Sequence, residues 1–476
     1  MDDASINLLI VGRGSITAPA GCGKTELIKS SLCNHLGKKP VLVLTHTNAG
    51  VAALRARLER ARVSPDAYRI ATIDGWAMRI IGKFPSRSGH DPRILLLDSP
   101  QQDYPAIRAA AGQLLHSGHL NDVLAASYAH LIVDEYQDCS LPQHNIVKGL
   151  ARLLPTCVLG DPLQAIFDFG GELVHWERDV LTTFPLAGTL TTPWRWRNAN
   201  AEPLGTWLLQ IRRALITGEP VDLRHAPPHV RWVQTGLPDD HRIRLTAAQT
   251  TPPLSQGRVL IIGDARNPRG QRDLAGQTPG AITVEAVDLR DLITFGRNFC
   301  LESPQVFDTL VEFAGSVMTN LGAAEMRRRF DALRRGTARN APTPTEHESL
   351  LFAAAPSFRG AASLLEAWCA APNVRSHRPA ILHAAIKALR LAASGTCDLM
   401  QAVVRTREES RSKGRSLPRR AVGSTLLLKG LEAEVAVILD ASNLNAANLY
   451  VAMTRGSMGL VVCSPTPVLD NAPSHW

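Results

Sequence analysis

Residues Ala18 to Thr25 read APAGCGKT, between an apolar approach (Ile6 to Val11, then Ile16 and Thr17) and a segment from Glu26 to Leu36 that looks like the start of a helix. No other feature of the chain restricts its fold as much. The spacing is that of a phosphate-binding loop, which needs a strand before it and a helix after it. Gly21 and Gly23 stand where a Cβ would obstruct the turn that aims backbone N–H groups at phosphate oxygens. Lys24 brings a charge toward the outer phosphates and Thr25 a hydroxyl toward magnesium, with Ala20 and Cys22 completing the cradle. Ala18 occupies the place of the loop's usual first glycine.

Short aliphatic runs recur along the chain: Val41 to Leu44, Leu131 to Val133, Cys157 to Leu159, Val259 to Ile262, Val435 to Leu439 and Leu460 to Cys463. Unbroken runs of this length are those of parallel strands buried on both faces. Helical patterns such as Ala49 to Ala61 and Leu141 to Leu154 alternate with them, so the expected class is α/β with helices on both sides of parallel sheets. Two stretches break the alternation. Residues 84–128 carry a polar turn cluster and an Ala-rich helix, and read as a small inserted subdomain. Residues 293–420 read as mostly helical, interrupted at Pro342 to Glu348 and ending in the basic run Arg405 to Arg420. The chain therefore divides into a first core (1–83 and 129–185), its insertion (84–128), a second core (186–292 and 421–476) and its insertion (293–420).

A second chemical signal lies 110 residues after Lys24. In LIVDEYQD (Leu131 to Asp138) a buried strand ends in two adjacent acids, which puts Asp134 where it can hold magnesium and Glu135 where it can activate a water. Together with the lysine loop this points to nucleoside triphosphate hydrolysis. Composition excludes several other classes. With 52 Lys and Arg against 43 Asp and Glu the formal charge is +9 on 476 residues, of which 45% are hydrophobic, a globular balance rather than a disordered one. The apolar runs fall far short of the roughly 20 residues a membrane span requires, so no membrane partner is expected. Met1, Asp2 and Asp3 open the chain without a basic region or a cleavable apolar stretch, which predicts a cytoplasmic protein. The cysteines are scattered without a CxxC pair, as in a protein of reduced thiols.

DEYQD, followed by GDPLQAIFDF (Gly160 to Phe169), resembles motifs II and III of the UvrD/Rep/PcrA-like superfamily 1 DNA helicases. THTNAGVAAL (Thr45 to Leu54) is similar to motif Ia, TIDGWA (Thr72 to Ala77) to motif Ib, LTTPWRWRN (Leu190 to Asn198) to motif IV, KGLEAE (Lys429 to Glu434) to motif V and YVAMTRG (Tyr450 to Gly456) to motif VI. The order along the chain is the family's. The resemblance implies two RecA-like P-loop domains, 1A and 2A, with inserted helical subdomains 1B and 2B, using ATP and Mg2+ for 3′ to 5′ translocation on single-stranded DNA and duplex unwinding. It implies Glu135 as catalytic base, Gln164 as sensor of the γ phosphate, and Glu432 as a residue that binds nucleotide or couples it to DNA. Arg195 and Arg455 would be arginine fingers reaching from the second core. The sequence departs from the pattern in three places. Residues 1–17 contain no glutamine, although family members read adenine with a glutamine-containing segment there. Asp74 stands where motif Ib commonly has histidine, and Leu426 where motif V does.

Phe167 and Phe169 follow motif III where the family presents aromatics to single-stranded DNA, and Trp76 lies in motif Ib. Flat rings grip a strand by stacking on any base, although each of these three residues also suits a core position. Thr45, Thr47 and Asn48 of motif Ia suit contacts to sugar and phosphate. The expected partner is single-stranded or partly duplex DNA. Short UvrD-like chains also stand beside TOPRIM nucleases in Gabija-type antiviral systems, which gives a second reading as an ATP-switched regulatory subunit of a nuclease.

Overall fold

The computed structural model describes residues 6–167, 171–286, 288–412 and 418–470. Its first sheet contains β1 (Arg13–Thr17), β2 (Val41–Thr45), β3 (Tyr68–Thr72), β4 (Leu131–Val133), β5 (Thr156–Gly160) and β6 (Leu186–Thr189), in the order β3-β2-β4-β5-β1-β6. Every pairing is parallel. Residues of β2 show why the strand is apolar throughout. Val41 and Val43 enter one core, with Ile28, Leu32 and Leu54, whereas Leu42 and Leu44 enter another, with Ile73, Ile81 and Val147. Alternate side chains of one strand thus bury against helices on opposite faces.

The segment expected to form an inserted subdomain does not build a core of its own. Its helices run Pro85–Ser88, Pro100–His116 and Asn121–Ser127. Ile107, Ala111, Leu114 and Leu124 pack into the same cluster as Leu42 and Leu131 of the sheet. In the same unit a short antiparallel ribbon joins β7 (Val221–Asp222) to β16 (Val468–Leu469).

A second sheet has the order β10-β13-β9-β14-β15-β8, formed by β8 (Val230–Gln234), β9 (Val259–Ile262), β10 (Ala281–Thr283), β13 (Arg420–Gly423), β14 (Ala433–Ile438) and β15 (Gly456–Ser464). The pairings β10 with β13, β13 with β9 and β9 with β14 are parallel. The two helix-flanked sheets give the chain its RecA-like α/β class. Between β10 and β13 the chain is mostly helical, around a core of Phe295, Phe307, Leu310, Leu365, Trp368 and Leu389. A two-stranded antiparallel ribbon, β11 (Met318–Thr319) with β12 (Arg375–Ser376), interrupts it. The stretch Pro342 to Glu348, read as a break, contains a helix start. Thr343 caps helix Pro344–Ala354, its hydroxyl accepting from the Glu346 N–H while the Glu346 carboxylate accepts from the Thr343 N–H. Proline in the first turn is favourable because its missing donor would have no partner there anyway. The basic run Arg405 to Arg420 spans the end of helix Leu399–Ser412 and the start of β13, and its residues 413–417 lie outside the described residues.

By compactness the chain forms two units. One comprises the residues up to Val230 with Ser442–Met458 and the residues from Pro467 onward, and the other comprises Arg231–Ala441 with Gly459–Thr466. The sequence division set the first boundary at 185 and assigned residues 421–476 to the second core. In the structure the helices Trp194–Asn198, Glu202–Thr217 and Ala446–Met453 all belong to the unit of the phosphate loop. The reason is a set of long-range contacts between these helices and the first core, such as Arg212 with Asp161 and the Tyr450 hydroxyl with the Ala20 N–H.

Candidate nucleotide site

Strands β1, β4 and β5 run parallel, so the loops leaving their carboxyl ends share one edge of the first sheet, where α/β proteins bind ligands. The loop after β1 carries Gly21 at φ 71° and Gly23 at φ 87°, left-handed conformations natural to glycine. Helix Lys24–Cys33 follows directly. The Lys24 ammonium lies 3.0 Å from Asp134 Oδ1 and 2.6 Å from Glu135 Oε1. Burial alone would depress its pKa, but the two carboxylates outweigh burial and hold it above the ordinary range. Asp134 is shifted upward, by burial first and then by Glu135, against the pull of Lys24.

Glu135 itself sits at φ 55° and ψ 41°, an uncommon conformation for a residue with a side chain and typically a store of about 1–3 kcal/mol of strain. The turn is fixed from both sides. The Glu135 N–H donates to Asp134 Oδ1 at 2.9 Å, and Gln137 Nε2 donates to Glu135 Oε2 at 2.6 Å. Gln137 in turn accepts from the Asp161 N–H through Oε1, at 3.1 Å. Fully buried Asp161 pairs with Arg212 at 2.8 Å and accepts from Gln164 Nε2 at 3.1 Å. One chain of hydrogen bonds therefore joins the acids after β4 to Gln164 after β5.

The donors suit magnesium. Asp134 uses Oδ1 for Lys24 and the Glu135 N–H, while its Oδ2 and the Thr25 hydroxyl make no protein hydrogen bond among the described residues. Magnesium is commonly held through one or two protein oxygens plus substrate phosphates, so the lack of a larger cluster of metal-ligating side chains among the described residues does not conflict with it.

Residues 194–196 and 450–456 also reach this loop. The Arg195 N–H donates to the Gly21 carbonyl at 3.0 Å, and the Ala20 N–H donates to the Tyr450 hydroxyl at 3.2 Å. A Cβ on Gly21 would stand 2.5 Å from Trp196 Cζ3, and one on Gly23 would stand 2.9 Å from Trp194 Cδ1. Glycine is thus required here by close approach as well as by φ. Trp196 is buried and donates from Nε1 to the Gly456 carbonyl at 2.9 Å, and Arg195 donates from Nη1 to the Thr454 carbonyl at 2.5 Å. Arg455, 3% exposed, donates to the Val451 carbonyl and to the Thr454 hydroxyl. Both arginines therefore belong to the unit of Lys24, whereas the sequence analysis placed them in the second core. Glu432 lies in the other unit, exposed on the turn before β14. Sequence reasoning missed Trp194, Gln137, Tyr450 and Arg212 as parts of this region. The first three lie inside motifs quoted above, and Arg212 has no signal because its partner is 51 residues away.

The residues expected on DNA are distributed unevenly. Thr47 and Asn48 are exposed at the start of helix Asn48–Arg60, where the Thr47 hydroxyl accepts from the Gly50 N–H. Phe167 is half-buried with its ring 5.5 Å from that of His46. Phe169 lies outside the described residues. Two expectations are corrected by burial. Thr45 is buried at the end of β2, and Trp76, 2% exposed, packs with Ile80 and Ile107 in the core, so it offers no face to a base. The departure at Asp74 also has a structural partner, since Arg108 binds it through two bonds of 2.7 Å. Arg108→Ala is expected to lower stability by about 1–3 kcal/mol, because it strands a mostly buried carboxylate, and Asp74→Asn in the same background should recover part of the loss. Urea denaturation of the two variants checks this.

Residues 4–114 and 97–176 match the family of the UvrD/REP helicase N-terminal domain. A sequence comparison with curated proteins finds no match. Among solved structures the chain is similar to Arterivirus nonstructural protein 10 (helicase) in complex with DNA, at 10% identity over 96% of this chain and 62% of that one, with a TM-score of 0.36. It is also similar to the Pif1 helicase from Candida albicans, at 12% identity over 96% and 92% of the two chains, with a TM-score of 0.39. The chain thus spans less than two thirds of the arteriviral protein's length. No helix among the described residues is long and apolar enough to cross a membrane.

Proposed function

We propose that this chain, of UvrD-like superfamily 1 helicase type by its matched N-terminal domain and the ordered motifs beyond it, hydrolyses ATP and uses the energy to move 3′ to 5′ along single-stranded DNA and open duplexes. The observation that carries the reading is the meeting of the Lys24 ammonium with the carboxylates of Asp134, at 3.0 Å, and Glu135, at 2.6 Å, at the carboxyl edge of a parallel sheet. Phosphoryl transfer asks mainly for positioning and charge, and these residues supply both. The Gly21 and Gly23 N–H groups face the phosphates, and Lys24 neutralises the oxygens that gain charge. Thr25 and Asp134 hold magnesium, which when bound spreads charge across the phosphate oxygens. Glu135 takes the proton of the attacking water, held in place by Gln137, while Gln164 and Arg195 respond to the γ phosphate and Arg455 braces the segment that Arg195 is bonded to. Trp194, 42% exposed beside Gly23, offers the nucleobase a stacking face in a chain with no glutamine before its phosphate loop. Thr47, Asn48 and Phe167 supply the grip on the strand.

The test is ATPase rate with and without an oligothymidylate, together with strand separation on a 3′-tailed duplex. ATP turnover should rise severalfold with the single strand, and the tailed duplex should open. Turnover indifferent to DNA would sink the translocase reading, and stimulated turnover without strand separation would restrict the activity to translocation.

A further inference from the structure

The second unit contains a cavity of about 960 Å³, inside the size range of small-molecule sites. One wall is a single face of helix Pro268–Gln277, because Arg269, Arg272 and Gly276 fall at i, i+3 and i+7. Gly276 keeps that wall open, since a Cβ there would stand 3.3 Å from Thr319 Cγ2. The facing wall comes from β12 and the residues after it, with Arg375, His377 and Arg378.

The four arginines have different duties. Arg378, 2% exposed, is satisfied by Glu285 and Asp291. Arg375 donates to the carbonyls of Ala275, Gly276 and Thr278, and so closes the carboxyl end of the helix. Arg272 shares Asp291 with Arg378, at 3.0 Å. Arg269 is exposed and has no ion-pair partner among the described residues. Guanidinium groups therefore outnumber the carboxylates Glu285, Asp291 and Asp273 around the cavity, and the surplus sits on the helix face.

His377 adds an independent observation. It is 6% exposed and lines the cavity. Burial first, and then Arg378, Arg375 and Arg272, lower its pKa to about 4, so the ring is neutral near pH 7. A ligand that satisfies this wall must bring anionic oxygens for the free guanidinium and a hydroxyl or similar group for the imidazole. Phosphate esters combine the two, and the planar guanidinium fork matches phosphate oxygens.

We propose that this cavity binds a phosphate-bearing ligand of mononucleotide size, its phosphate held by Arg269 and Arg272 and a hydroxyl held by His377. The phosphate can belong to a free nucleotide or to a nucleic-acid strand end. The test is calorimetric titration of full-length Lys24→Ala protein, whose phosphate loop is disabled, with AMP. Saturable binding at millimolar concentration is expected, weakened about tenfold or more by adding Arg269→Glu, on the scale of one charge-assisted hydrogen bond and with the melting temperature unchanged. If Arg269→Glu fails to fold, Arg272→Gln serves in its place. Displacement of AMP by a 5′-phosphorylated oligothymidylate would assign the site to strand ends, and retention of AMP beside the bound oligonucleotide would assign it to free nucleotides. Absence of saturable binding, or binding indifferent to both arginine variants, would overturn the proposal while leaving the ATPase reading untouched.

Discussion

Replacing Glu135 by Gln is expected to lower ATP turnover by about 10²–10⁴-fold, the usual worth of a positioned general base, with nucleotide affinity kept within a few-fold. The amide is nearly isosteric. It can still accept from Gln137 Nε2, the bond that fixes the side chain in the parent at 2.6 Å. Lys24 keeps Asp134 at 3.0 Å, so the phosphate-binding charge stays in place. What disappears is the capacity to take a proton. Lys24→Ala should fail differently, by losing affinity for the phosphates as well as rate. Single-turnover hydrolysis beside fluorescent-nucleotide binding separates the two variants. Parental turnover by Glu135→Gln would remove the residue from the chemistry and leave its left-handed backbone without a functional reason.

The contrast between these residues and their supports shows what a sequence displays. The phosphate loop and the adjacent acids were legible because their chemistry is local: consecutive residues fix glycine φ, lysine position and the strand end. The strands were legible because burial on both faces leaves unbroken aliphatic runs, as in Val41 to Leu44. Tertiary pairing was not legible. Arg212 with Asp161, and Tyr450 with the Ala20 N–H, are long-range contacts with no spacing rule, and they draw residues 442–458 into the first unit. Trp76 shows the same limit from another side. An aromatic residue reads alike whether its helix face meets solvent or core, and here it meets core. Residues 84–128 read as a separate subdomain because their composition shifts, yet the apolar face of helix Pro100–His116 completes the core of the first sheet.

Arg195 and Arg455 were assigned one role by resemblance, and their surroundings predict that substitution will separate them. Arg195 is only half-buried, next to the phosphate loop, its backbone bonded to Gly21 and its guanidinium to the Thr454 carbonyl. If it stabilises charge developing on the transferred phosphoryl group, Arg195→Ala should lower turnover by about 10³–10⁵-fold with comparatively little loss of nucleotide affinity. Lysine should not restore the rate, because a point charge lacks the planar fork. Arg455 is almost wholly enclosed and bonds the helix that carries it, so Arg455→Ala removes two buried hydrogen bonds, to the Val451 carbonyl and the Thr454 hydroxyl, and the packing of an enclosed side chain. That variant should lose about 1–3 kcal/mol of stability in addition to any catalytic defect. Stimulated ATPase, nucleotide binding and thermal melting on both alanine variants make the comparison. A stable Arg455→Ala with a large rate loss, beside an active Arg195→Ala, would reverse the assignment and make the enclosed arginine the one that reaches the reacting phosphate.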